Sequence, residues 1–249
     1  MSRKRKREEK VWIGTSGWVY KHWRSGVFYP EKLPAVEQLG FYASRFQTVE
    51  VNYSFYRLPD RDVFEGWRNQ TPREFLFAVK GSRYLTHMKK LKDPEEPLER
   101  LMEHAGGLQE KLGPILFQFP HTWHVHIERL APFVRLLKLH SRQRFAFEFR
   151  HKSWLIKEVY ELLGSIDAAL CLPVAPGLPL DVRLTASWSY IRFHHGSRGI
   201  GFGKKELSLW AERIRSFLEE GADVFAYFNN DAKGYAIRDA QRLGEMLVH

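Results

Sequence analysis

The chain has 249 residues, with 39 Lys and Arg against 29 Asp and Glu, a formal net charge of +10, 44% hydrophobic residues and a single cysteine. That apolar fraction rules out wholesale disorder, and the length suits one large domain, since α/β barrels use about 250 residues. The lone Cys171 excludes an intrachain disulfide and a multi-cysteine metal site, and no apolar run reaches the roughly 18–20 residues that span a bilayer.

Residues 1–10 read MSRKRKREEK, six basic against two acidic side chains, so this stretch carries +4 and leaves +6 on the rest. It is expected to be a disordered basic tail ahead of a single domain over residues 11–249. The apolar stretch of a secretory signal does not follow it, because Val11-Trp12-Ile13-Gly14 runs straight into a strand pattern. The expectation is a cytoplasmic protein without a membrane attachment, and the tail keeps a nucleic-acid partner in view.

Eight short runs rich in Val, Ile, Phe and Tyr read as strands: 11–16, 48–52, 75–80, 115–119, 145–150, 168–172, 190–194 and 224–229. Helical patterns lie between them at 34–45, 61–69, 96–111, 127–139, 154–163 and 206–220, with a last one at 232–247. Pro34 suits a first helical turn, Ser153 is an N-cap candidate before Trp154, and Gly164 and Gly221 read as stops. Between strands six and seven, CLPVAPGLPLDVRLTASW holds three prolines and leaves at most a short, degenerate helix around 182–186. Strands alternating with helices about every 30 residues predict a parallel eight-stranded (β/α)8 barrel of the TIM type. An open doubly wound sheet would need a phosphate-binding turn, and neither G-x-G-x-x-G nor G-x-x-x-x-G-K-[ST] occurs. Gly199, Gly201 and Gly203 make only a G-x-G-x-G run in a loop.

Side chains alternate faces along a strand, so parity sorts them. Val49 and Val51 oppose Thr48, Glu50 and Asn52, and Phe75, Phe77 and Val79 oppose Leu76, Ala78 and Lys80. Phe117 and Phe119 oppose Gln118, Phe145, Phe147 and Phe149 oppose Glu148 and Arg150, and Ile191 and Phe193 oppose Tyr190, Arg192 and His194. The all-apolar face belongs under the helices, which turns the polar face into the barrel. The polar residues gather at the carboxyl ends of the strands, where barrel enzymes build their sites. The charges there, Lys80, Arg150 and Arg192 against Glu50, Glu148 and Asp231, also read as a structural plug, but burying so many is poor stability engineering.

The motifs IGTSGWVYKHW, TVEVNYSFYRLP, WRNQTPREFLFAVKGSRYLTHMKKLKDPEEP, LGPILFQFP, FEFRHKSW, YIRFH and YFNNDAKGYAIRDAQRL run from residue 13 to residue 243. In combination they resemble the YecE-like family (domain of unknown function 72). The resemblance implies a (β/α)8 barrel of unassigned activity. It departs from the family after strand six, where Leu172-Pro173-Val174-Ala175 replaces an Asp- and Ser-bearing segment, and after strand seven, where His194-His195-Gly196 stands.

Four residues are candidates for catalysis: Glu50 and Glu148 as an acid–base pair, Lys80 as an oxyanion stabiliser or Schiff-base amine, and His194 as a proton shuttle. Ser16, Tyr20, Asn52, Gln118, Arg150, Arg192, Asn229, Asn230 and Asp231 are candidates for holding substrate, the arginines through bidentate contacts to phosphate or carboxylate. No metal site is assigned. A divalent ion on Glu50, Glu148, His194 and Asp231 is the cofactor alternative, and His121, His124 and His126 form a second, weaker chelating pattern. Trp18, Tyr20, Trp23, Tyr53, Phe55 and Tyr56 cluster in the first two mouth loops, where they can stack on bases or sugars or simply close the core. The expected function is an enzyme acting on a polar anionic substrate by acid–base chemistry, hydrolysis of a phosphoester or phosphodiester being favoured over lyase or isomerase chemistry. The alternatives are a non-catalytic nucleic-acid-binding protein and a phosphometabolite-binding protein.

Overall fold

Strands that are apolar on one face and mixed on the other are stable only if both faces are covered, one by helices and one by the sheet's own curvature. The computed structural model describes residues 10–24 and 26–248 and shows that arrangement. The strands are β1 (Val11–Thr15), β2 (Thr48–Val51), β3 (Leu76–Lys80), β4 (Leu112–Gln118), β5 (Phe145–Glu148), β6 (Ala169–Val174), β7 (Trp188–Phe193) and β8 (Asp223–Phe228). All are parallel in the order β1-β8-β7-β6-β5-β4-β3-β2. Helices α1 (Gln38–Ala43), α2 (Tyr53–Tyr56), α3 (Arg61–Asn69), α4 (Glu95–Ala105), α5 (Ile127–Leu137), α6 (Lys157–Gly164) and α7 (Lys204–Glu219) fill every connection but the one from β6 to β7, and α8 (Tyr235–Val248) follows β8. This is the (β/α)8 TIM barrel expected from the alternation. The basic tail, apart from Lys10, lies outside the described residues.

The barrel closes between β1 and β2, where a bridge pairs Ser16 with Glu50. The Tyr42 hydroxyl spans the same seam, accepting from the Thr15 backbone N–H (2.9 Å) and donating to the Thr48 carbonyl (3.1 Å). A Cβ at Gly14 would collide with the Thr48 carbonyl oxygen, so only glycine lets the two strands approach there. Gly14→Ala should cost about 2 kcal/mol or more by overpacking, read as a lower urea midpoint with an unchanged slope.

The parity assignment holds throughout. Phe77, Val79, Phe117, Phe147, Ile191 and Phe193 pack outward under the helices, whereas Ala78, Leu116, Ala146, Cys171, Trp188, Tyr190, Phe225 and Tyr227 fill the interior. Trp12 stacks on Phe225 with ring centroids 4.5 Å apart near the amino end, and Arg144 closes that end through Asp223 at 2.5 Å. The interior thus grades from aromatic at the bottom, through hydroxyls (Thr48 and Tyr227 at 2.7 Å), to charge at the top.

Three local expectations are corrected. No helix forms around 182–186; the Thr185 hydroxyl instead accepts from the Leu170 N–H and donates to the Ala168 carbonyl, both at 2.8 Å, doing the work of a ladder pair beside β6. Ser153 does not cap α6, which starts at Lys157; its hydroxyl accepts from the Val125 N–H at 2.8 Å and ties down the loop before α5. Gly164 is the last residue of α6, whereas Gly221, at φ 88°, is the left-handed stop after α7.

Candidate functional site at the carboxyl mouth

Parity and strand length place five charged or amide side chains at the top of the barrel: Glu50 on β2, Lys80 on β3, Gln118 on β4, Glu148 on β5 and Arg192 on β7. Arg192 is only 1% exposed and holds both carboxylates, donating from Nη2 to Glu50 Oε1 (2.7 Å) and from Nη1 to Glu148 Oε2 (2.5 Å). Ser16 and Tyr190 complete the shell of Glu50 at 2.7 and 2.6 Å. Glu148 also pairs with Arg150, accepts from Gln118 Nε2 (3.1 Å) and faces His194 Nε2 (3.3 Å). Burial pushes both carboxyls up, but the charges outweigh it. Arg192, with the hydrogen bonds from Tyr190 and Ser16, holds Glu50 below the usual carboxylate range, and Arg192, Arg150 and His194 hold Glu148 well below it.

Lys80 is different. Its Nζ donates to the neutral Gln118 Oε1 at 2.9 Å and sits 4.0 Å from the centroid of the Phe55 ring, and it forms no ion pair among the described residues. Burial, then the charges of Arg192 and Arg150, lower it to about 7 against the pull of Glu148 and Glu50. The strand end that carries it is fixed by the Ser54 hydroxyl, which donates to the Lys80 carbonyl at 2.6 Å.

Half-buried groups form the rim. Arg150 Nη2 lies 2.9 Å from His194 Nε2, and Asn229 Nδ2 lies 3.2 Å from His194 Nδ1. Burial lowers His194 against the pull of Glu148, which favours a neutral ring near pH 7. Tyr20 donates to the Ser16 carbonyl at 2.5 Å and lies in the fields of Asp231 and Glu50. Asp231 accepts from Trp23 Nε1 (2.6 Å) and faces His22 (2.9 Å); burial raises it to about 6, although both partners pull the other way. Asn52 starts α2 with its side-chain oxygen buried and unpartnered.

The structure therefore gathers Ser16, Glu50, Lys80, Gln118, Glu148, Arg150, Arg192, His194 and Asn229 in one network, with Tyr20, Asn52 and Asp231 beside it. It does not bring Asn230 there. That side chain is buried behind β8, donating to the Ile200 carbonyl (3.0 Å) and Asp239 (2.8 Å), because Phe228 points outward and Asn229 takes the inward position. His87 joins the site without a strand signal: it lies on a π-helical turn (Tyr84–Met88), edge-on to Phe55 at 4.9 Å. Burial and then Lys80 lower it to about 4.

Of the four residues weighed as metal ligands, Glu50, Glu148 and His194 share one network, but Arg192 and Arg150 occupy the carboxylate oxygens and Asp231 turns to Trp23 and His22. Among the described residues no group of three or more His, Cys, Asp or Glu forms a metal-ligand set. In the loop before α5, His124 stacks on His151 at 3.9 Å and His126 faces Glu128, so those histidines do not chelate together. Of the mouth aromatics, Trp18, Trp23 and Phe55 are buried in packing, and Tyr53 and Tyr56 are exposed. No helix among the described residues is long and apolar enough to cross a membrane.

Comparison with known proteins agrees with this architecture. The chain is 26% identical to the UPF0759 protein YunF of Bacillus subtilis over 276 residues, covering 95% of this chain and 94% of that protein. It is 26% identical to the UPF0759 protein YecE of Escherichia coli over 148 residues, 59% of this chain and 51% of that one. A solved DUF72 family protein of Thermotoga maritima superposes with a TM-score of 0.80 at 30% identity, covering 96% of this chain and 100% of that chain. One from Enterococcus faecalis shares the fold at a TM-score of 0.80 and 19% identity, over 96% of both chains. The family model described as a protein of unknown function, DUF72, matches residues 12–249, and the chain belongs to that family.

Proposed function

We propose that the chain is an enzyme acting on a small phosphate- or carboxylate-bearing substrate at the carboxyl mouth of the barrel, with Lys80 as the group that moves the proton. The observation that carries this reading is the charge balance of the mouth. Both carboxylates are consumed by guanidinium groups, while Lys80 rests on an amide oxygen and an aromatic ring. A cation with no ion pair among the described residues, in a largely buried site, favours an incoming anion, whose charge it meets at low dielectric.

The division of labour follows from the same contacts. Glu50 and Glu148, held ionised, do not serve as general acids; they orient Arg192 and Arg150. Lys80, poised near neutrality, meets the requirement for a general base or acid. In hydrolysis of a phosphoester it would take the proton of the attacking water while Arg150 and His194 hold phosphoryl oxygens. In lyase or isomerase chemistry it would take a proton from carbon.

The test is a thermal-shift screen of small phosphorylated and carboxylated compounds against neutral analogues, followed by turnover assays on those that bind. Anions are expected to raise the melting temperature, and Arg150→Gln should weaken that binding about tenfold or more, the scale of a lost charged hydrogen bond. Stabilisation by neutral analogues alone would overturn the reading.

A further inference from the structure

We propose that Lys80 is an imine-forming nucleophile, whose amine condenses with the carbonyl carbon of a small aldehyde or ketone that also carries an anionic group. This rests on the anionic-substrate reading above and deepens it by adding a carbonyl to the substrate. Three features of the geometry lead to it. Lys80 is 8% exposed, at the inward-facing end of β3, with its backbone carbonyl clamped by Ser54. Its nitrogen lies over the Phe55 ring, and its one hydrogen-bond acceptor among the described residues is the neutral Gln118 Oε1. An ammonium used only as a structural counter-charge belongs beside a carboxylate, yet both nearby carboxylates are already taken by arginines.

The groups facing Lys80 are Arg192 and Glu50 from β7 and β2, Glu148 and Arg150 at the end of β5, Gln118 on β4, and His87 on the turn after β3. Burial first, and then the two guanidinium groups against the pull of Glu148 and Glu50, favour the free amine, which is the nucleophilic form. The chemistry balances without any further reactant. The amine lone pair forms the N–C bond as the carbonyl π pair moves to oxygen, and a proton passes from the nitrogen to that oxygen to give the carbinolamine. Loss of that hydroxyl with a second proton releases water and leaves C=N. The protonated imine then draws electrons from the adjacent carbon, and hydrolysis returns the amine. Arg150 and His194 on the rim are placed to hold the anionic end.

The test uses the full chain with glyoxylate, a small anionic aldehyde, and acetaldehyde as its neutral counterpart, each with sodium cyanoborohydride at pH 7 and peptide mapping by mass spectrometry. Glyoxylate should be trapped on Lys80 at least about tenfold faster than on any other lysine, because ordinary lysines are almost wholly protonated at that pH. Inorganic phosphate should slow the trapping, and Lys80→Arg should abolish it at that site while keeping the cation. Labelling of Lys80 no faster than of surface lysines would overturn the imine. If phosphate still raises the melting temperature in that case, the imine alone has failed; if phosphate does not bind at all, the anionic-substrate reading has failed with it.

Discussion

Arg192→Met should destabilise the protein by about 3–5 kcal/mol, a fall in melting temperature on the order of 10 °C. The side chain is the single cation joining Glu50 to Glu148, at 2.7 and 2.5 Å, and all three groups are essentially without solvent contact. Removing it leaves Glu50 with only the hydroxyls of Ser16 and Tyr190, which cannot neutralise a buried charge. The cost therefore lies chiefly in the orphaned Glu50 carboxylate, since Glu148 keeps Arg150, and not in the lost attraction. The triple variant Arg192→Met, Glu50→Gln, Glu148→Gln should recover a substantial part of the loss. Calorimetry on both variants checks this. Equal instability of the two would mean that shape, not charge, sets the cost.

Acid titration gives the same network a second readout. Glu50 and Glu148 are held below the usual carboxylate range in the folded chain, so their stabilisation is complete above the unfolded value of about 4.3. It is lost as pH falls below that value and through the depressed folded ones. In Arg192→Met the sign reverses for Glu50, because burial then dominates and raises it. The variant should gain on the wild type as pH falls from 7 towards 5.

Much of this network is legible in the sequence because strand parity is a hard constraint. In FAFEFR and ILFQF the phenylalanines mark one face unambiguously, and Glu148 and Gln118 have nowhere to point but inward. The rule gives out where both faces carry the same chemistry. In FAYFNND, Tyr227 and Phe228 are both aromatic, so the alternation does not say whether Asn229 or Asn230 enters the barrel; the outward packing of Phe228 decides it. Parity also says nothing about loops. His87 reaches Phe55 and the field of Lys80 through a π-helical turn, a geometry set by tertiary packing and not by hydrophobic period. Nor does composition reveal pairing. Three basic and three acidic mouth residues count as neutral, yet Asp231 spends its charge on Trp23 and His22, and Arg192 and Arg150 between them take both glutamates. The formal balance concealed the one lysine that stands apart.

On the proposed function, Lys80→Met should lower turnover by about a thousandfold or more and at the same time raise the melting temperature. The first effect follows if Lys80 moves the proton or forms the covalent bond, since among the described residues no other amine faces the mouth network. The second follows from linkage. The folded value of about 7 lies below the ordinary 10.5, so between those values the unfolded chain binds the extra proton and stability rises with pH. At and below pH 7 the folded protein carries the whole cost of keeping a buried cation beside Arg192 and Arg150. Methionine removes that cost and still covers Phe55, so at pH 7 the variant should gain at least about 1 kcal/mol, roughly 2–4 °C. The gain should shrink as pH approaches 10.5, where the wild-type lysine is neutral in the folded state and increasingly so in the unfolded one. A structural lysine predicts the opposite pattern, with lower stability and activity lost only as far as folding is lost. Melting curves of both proteins at pH 7 and pH 10, set beside turnover at pH 7, separate the two, because only a residue kept for chemistry is both indispensable to activity and a burden on the fold.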